Sequence, residues 1–244
     1  MLEVKNLVKH FGDVKALDNL SFSAEDGQIT GILGPNGAGK TTALRVLYGL
    51  LKAEQGVGII NGIDSQQDPQ GARKQIGIFP DKFGLYERLT AREQIGYFAE
   101  LHGLRGQAKN EALNRVIQEL DIADIADRKC AGFSQGQRMK VILAQALVHE
   151  PKNLILDEPT RGLDVMSTRI LRDVLARLKS QGKCILFSSH VMQEVAALCD
   201  KVIVVSDGKV AAVGTPDELC QRTEKASLEE AFVSLIGSDE GIAA

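Results

Sequence analysis

Residues 34–42 read Gly-Pro-Asn-Gly-Ala-Gly-Lys-Thr-Thr, and the residues on either side leave this stretch little choice of structure. The apolar run Ile29–Leu33 before it has the length of a buried strand. The run "ALRVLYGLL" after it has helix-forming composition. A strand that runs into glycines and restarts as a helix, with Gly34, Gly39, Lys40 and Thr41 spaced as G-x-x-x-x-G-K-[ST], points to a nucleoside triphosphate. Gly37 and Gly39 let successive backbone N–H groups turn inward around phosphate, where Cβ atoms would obstruct them. Pro35, Asn36 and Ala38 complete the turn and Thr42 extends it. Lys40 adds positive charge at the β- and γ-phosphates, the Thr41 hydroxyl is placed to ligate Mg²⁺, and the helix start adds its dipole.

The remaining chain alternates in the way an α/β protein requires. "LEVKNLVK" and "NLSFSA" alternate apolar and polar residues as half-buried strands do, and "GVGIING" ends in an Asn-Gly turn signal. The middle is helical. Thr90 and Glu93 stand at capping-box spacing, and Leu113, Val116, Ile117 and Leu120 share one helix face, with Gly103–Gly106 separating the two helices. "NLILDE" and "KCILFSS" are apolar runs of the kind found in parallel strands covered on both faces. Between them Ile170, Leu171, Val174, Leu175 and Leu178 form one helical stripe that stops near Gly182. "KVIVVSDGKVAAVG" reads as a hairpin about Asp207-Gly208, and the tail holds one short amphipathic helix before a frayed end.

Asp157 and Glu158 close the strand "LILDE". Carboxylates at that strand end lie beside a phosphate turn in a doubly wound sheet. Asp157 suits a Mg²⁺ role, directly or through water, and Glu158 suits the group that polarises an attacking water. His190 follows the next apolar run; a lone histidine there is either structural or a γ-phosphate contact. Residues 133–137, "FSQGQ", raise a separate question. Ser134 and Gln137 are three apart, which fits a capping box at the start of a helix running toward Glu150. A helix N-terminus with free N–H groups also suits a phosphate. Gln135 falls in the first helical position, where a side chain is allowed.

These pieces, in this order over nearly the whole chain, resemble the ATP-binding cassette family. The family's sequence of motifs is matched by Phe11 in "HFGDVKAL" at the adenine-stacking position, the phosphate loop and "IGIFPDKF" at the Gln-type loop. "FSQGQ" then stands at the signature, followed by Asp157 and Glu158, "RGLD" at the Asp loop and His190 at the His switch. The resemblance implies a P-loop NTPase: a RecA-like mixed sheet core, an N-terminal antiparallel β-subdomain and an inserted α-helical subdomain near residues 82–150. Residues 1–224 would then form one ATPase domain and 225–244 a short helical tail. It implies a head-to-tail homodimer in the ATP state, with each ATP held by the phosphate loop of one subunit and by Ser134, Gly136 and Gln137 of the other. Asp164 would link the two sites. Two positions depart from the family pattern. Asp81 stands where Gln or Glu is usual; it is shorter, so it would reach Mg²⁺ through a bridging water. Gln135 replaces a glycine.

Bulk properties narrow the class. With 244 residues, 44% of them hydrophobic, the chain can bury one large core or two small ones. A net charge of −3 gives no broad basic face, so nucleic acid is not expected as a partner. No apolar run reaches the length of a spanning helix, and the N-terminus has no signal-peptide core. Cys130, Cys184, Cys199 and Cys220 form no CxxC pair, so neither a disulfide framework nor a cysteine metal site is expected. The expectation is a separate ATPase subunit at the cytoplasmic face of a membrane, bound to an integral permease. The permease contact is expected near Asp81–Glu87, with Phe83, Leu85 and Tyr86 as candidates, although these side chains suit local core packing equally well. "FGLYERLTAREQIGYFAELHGL" and "EPTRGLDVMSTRILRDVL" resemble the Nat-type sodium-efflux branch of bacterial exporters. Drug, polysaccharide and lipid exporters share much of the pattern. A non-transport cassette ATPase, or a phosphate-loop kinase outside the family, stays as the alternative.

Overall fold

The computed structural model describes residues 1–82 and 84–237. Phe83 and the tail beyond Gly237, including the expected frayed end, lie outside the described residues. In chain order the elements begin with β1 (Leu2–Phe11), β2 (Val14–Ala24), β3 (Ile29–Leu33), α1 (Lys40–Leu47), β4 (Gln55–Ile60), β5 (Ile63–Asp64), α2 (Pro69–Lys74) and β6 (Ile76–Phe79). Three helices follow: α3 (Ala91–Leu101), α4 (Gly106–Glu119) and α5 (Gln135–Leu147). Then come β7 (Asn153–Asp157), α6 (Val165–Ser180), β8 (Cys184–Ser189), α7 (Met192–Leu198), β9 (Lys201–Ser206), β10 (Lys209–Gly214), α8 (Pro216–Thr223) and α9 (Leu228–Ile236).

Among the described residues the strands make two sheets. One has the order β2-β1-β4-β5 and is antiparallel throughout. The other has the order β10-β9-β3-β8-β7-β6; it is parallel from β9 to β6, with β10 antiparallel at its edge. Strands β3, β7 and β8 are buried along their whole length, which is why they read as unbroken apolar runs rather than alternating ones. The carboxyl ends of β3, β8, β7 and β6 lie side by side, and the turns that leave them form the site described below. Both expected tight hairpins are present. Asn61-Gly62 and Asp207-Gly208 take positive φ at both central positions, the geometry that matches strand twist.

Helices α3, α4 and α5 fall between β6 and β7. The Thr90–Glu93 capping box forms as its spacing predicts. Leu113, Val116, Ile117 and Leu120 enter the same core as Phe79, Leu154 and Phe187. Ile170 differs from expectation. It is 37% exposed, and the buried stripe of α6 runs Ser167, Leu171, Val174, Leu175, Leu178. At about 100° per residue Ile170 lies just beyond the edge of that stripe, while Ser167 falls within it. Leu85 packs in the core, whereas Tyr86 is exposed and meets Tyr97 edge-on.

One histidine pair ties α5 to the edge strand β6. The His149 ring stacks on His102 with centroids 3.5 Å apart, and its Nε2 lies 3.0 Å from the Ile76 carbonyl oxygen. Burial, with the neighbouring His102 second, lowers the His149 pKa from 6.5 to about 4. Between those two values the unfolded chain binds the proton and the folded one does not, so stability is full above pH 6.5 and falls as pH drops toward 4. The shift corresponds to about 2 kcal/mol of stability lost between pH 7 and pH 5. Urea midpoints at those two pH values should therefore differ less in His149→Gln than in the wild type. Equal differences would remove His149 from the acid limb.

Candidate functional site: a cleft at the carboxyl ends of β3, β7 and β8

A cleft of about 380 Å³ opens at these strand ends, lined by Ala16, Pro35 to Thr42, Asp81, Glu158, Arg161 and His190. Its floor is the turn between β3 and α1. Gly39 sits at φ 101°, and a Cβ there would stand 2.5 Å from the Ala16 carbonyl oxygen, so only glycine fits both the backbone and the space. Lys40 opens α1, and its side chain curls back into the turn, donating to the carbonyl oxygens of Gly34 at 2.7 Å and Pro35 at 3.2 Å. Burial lowers the Lys40 pKa, and the charges of Glu158 and Asp157 oppose that shift. The ammonium lies 3.7 Å from Glu158 Oε1.

The acidic pair splits by depth. Asp157 is buried beneath the cleft surface, where its Oδ1 accepts from the Thr41 hydroxyl at 3.2 Å and the Ser188 hydroxyl at 2.5 Å. Glu158 turns up into the cleft. Its backbone takes the left-handed conformation, φ 49°, uncommon for a residue with a Cβ. Its N–H is held by the Ser188 carbonyl and hydroxyl oxygens at 3.1 and 3.2 Å. This break in the strand swings consecutive side chains to different depths rather than to opposite faces. Glu158 Oε2 lies 2.8 Å from His190 Nδ1. Lys40, Glu158 and His190 thus make one chain of contacts, built from the ends of three neighbouring strands.

Asp81 also lines the cleft, and its Oδ1 accepts from Arg161 Nη1 at 3.0 Å. Arg161 had no place among the expected site residues. The available signal was a cation three positions beyond Glu158, inside the turn that leads to Asp164. Phe11 is not among the lining residues; it ends β1 as a half-exposed ring with Lys9 Nζ 5.5 Å from its centroid.

Ser134, Gly136 and Gln137 do not line the cleft either. They begin α5 as a complete capping box: the Gln137 N–H donates to Ser134 Oγ at 3.2 Å, and the Ser134 N–H donates to Gln137 Oε1 at 3.1 Å. Gln135 is the first helical residue, as its spacing predicts. Gly136 packs against the start of α6, where a Cβ would meet Ser167 Oγ at 2.3 Å. Asp164 caps that same helix by accepting from the Ser167 N–H at 2.7 Å. The starts of α5 and α6 are therefore packed together, and of the "FSQGQ" and "RGLD" residues only Arg161 reaches the cleft of the same chain.

A family model described as ABC transporter matches residues 17–161. The chain belongs to the ABC transporter family. Within that family it is 39% identical to the ABC transporter ATP-binding protein NatA of Bacillus subtilis, over 96% of this chain and 97% of NatA. It is 35% identical to the probable multidrug ABC transporter ATP-binding protein YbhF of Escherichia coli, over 97% of this chain but only 42% of that longer protein. A solved structure of an ATP-binding subunit of an ABC transporter superposes with TM-score 0.87 and 31% identity, covering 96% of this chain and 99% of that one. The dimeric structure of the bacterial ABC transporter cassette MJ0796 superposes with TM-score 0.79 and 25% identity, covering 88% and 98%. The fold of this chain is the ABC cassette fold, and the chain is an ATP-binding ATPase.

Proposed function

We propose that the chain is the ATPase subunit of an exporter that moves sodium ions out through a separate membrane permease. The observation that carries the ATPase reading is the cleft itself, which gathers Lys40, Thr41, Glu158 and His190 above Asp157. Export of sodium is supported by the resemblance of residues 83–104 and 158–175 to the Nat-type branch and by the end-to-end match with NatA. No described helix is long and apolar enough to cross a membrane.

In this reading Pro35 to Thr42 wrap the phosphates with backbone N–H groups, and Phe11 stacks on the adenine outside the cleft mouth. Glu158 orients and deprotonates the attacking water, while His190 fixes the Glu158 carboxylate and contacts the γ-phosphate. Mg²⁺ fits on the chemistry of the donors. Thr41 Oγ1 and Asp157 Oδ1 are hard oxygen ligands 3.2 Å apart. Phosphate oxygens and water would complete the coordination of such an ion. Thr41 and Asp157 would hold the ion, with Asp81 reaching it through water; bound there, it would neutralise charge on the β- and γ-phosphates.

Two chains pair head to tail in the ATP state, so that Ser134, Gly136 and Gln137 of one complete the cleft of the other. The dimeric cassette among its structural relatives supports this pairing. Gln135 begins a regular helix and leaves the capping box intact, so Gln135→Gly should leave ATP-driven dimerisation, read by light scattering, within about twofold. A large gain in turnover would show instead that Gln135 impairs the signature.

The transport reading is tested with the subunit and its permease together in inside-out vesicles. ATP should drive uptake of radioactive sodium, and vesicles carrying Glu158→Gln should show none. ATP-driven movement of an amphiphilic drug without sodium would reassign the subunit to drug export.

A further inference from the structure

We propose that Arg161 is a nucleotide-sensing cation, held by Asp81 until a triphosphate takes it, so that this ion pair sets the preference for ATP over ADP. The inference rests on the reading of the cleft as the ATP site. Asp81 follows β6 and Arg161 follows β7. These strands pair in parallel, with Phe79 opposite Leu156, so the turns that leave them lie side by side. Their side chains meet at 3.0 Å on the wall of the cleft.

The other charges of the cleft are already engaged. Lys40 is enclosed by the carbonyl oxygens of its own turn and faces Glu158, which also contacts His190. Arg161 differs: its side chain is 64% exposed, and Asp81 is the acidic partner it faces. An exposed pair of this kind is weak and screened by salt. A terminal phosphate carries more charge than one carboxylate and matches the planar fork of a guanidinium. Arg161 can change partners by side-chain rotation alone, because its N–H stays bonded to the Glu158 carbonyl oxygen at 3.2 Å. The same geometry accounts for a carboxylate at position 81. A neutral glutamine there would hold Arg161 less firmly.

The test is calorimetric titration of the full chain with ATP and with ADP, in EDTA at low salt, where a metal role of Asp81 is silent. Wild type, Asp81→Asn, Arg161→Gln and the double variant are compared, with thermal melts to confirm that each is folded. Arg161→Gln should weaken ATP about tenfold, the scale of one charge-assisted hydrogen bond, and change ADP by no more than about twofold. Asp81→Asn should tighten ATP by about threefold or more, and this gain should vanish in the Arg161→Gln background. The same gain in both backgrounds would show that Asp81 acts only as a negative charge near the phosphates and would overturn the proposal. So would an unchanged ATP-to-ADP ratio in Arg161→Gln. A wild type that binds neither nucleotide would overturn the ATP-site reading itself.

Discussion

Glu158→Gln should lower ATP turnover by about 10²–10⁴-fold, the usual scale for losing a positioned general base. The substitution keeps the side chain's length and its packing at the end of β7, so folding and nucleotide binding should survive. It removes the proton acceptor and weakens the contact with His190, now 2.8 Å from Oε2. With hydrolysis blocked, the ATP-bound dimer should accumulate and elute as a dimer on gel filtration. Turnover at the wild-type rate would exclude Glu158 as the base and leave His190 as the remaining candidate.

Lys40→Ala should weaken ATP binding by about 10–100-fold, from the loss of charge-assisted contacts to phosphate. Part of that loss comes from the protein rather than the ligand. The ammonium donates to the carbonyl oxygens of Gly34 and Pro35, so its removal also loosens the turn that presents the N–H groups. Lys40→Met, which keeps the aliphatic stem, should bind as poorly as Lys40→Ala while melting closer to the wild type. Unchanged ATP affinity, measured by titration with a fluorescent analogue, would remove Lys40 from the phosphate site.

The parts of this molecule legible in the sequence are those whose determinants lie within a few residues of one another. The turn at 34–42, the capping boxes at Thr90 and Ser134 and the hairpins at Asn61 and Asp207 all follow from local spacing, and the structure contains each of them. Thr215 and Glu218 carry the same capping signal at the start of α8, and their box forms as well. The Asp81–Arg161 contact joins residues 80 positions apart, and only the pairing of β6 with β7 brings them together. The different depths of Asp157 and Glu158 were also hidden, because they depend on a left-handed backbone that neither residue type announces. Ile170 shows the limit of counting apolar positions: the edge of a stripe is set by what packs against it.

The left-handed turn at Glu158 also bears on how this protein responds to selection for robustness. Glycine, or to a lesser degree asparagine, occupies that backbone conformation at lower cost than glutamate, by about 1 kcal/mol for glycine. A library selected only for thermal survival would therefore drift toward glycine at position 158. It would enrich sturdier chains that no longer turn over ATP.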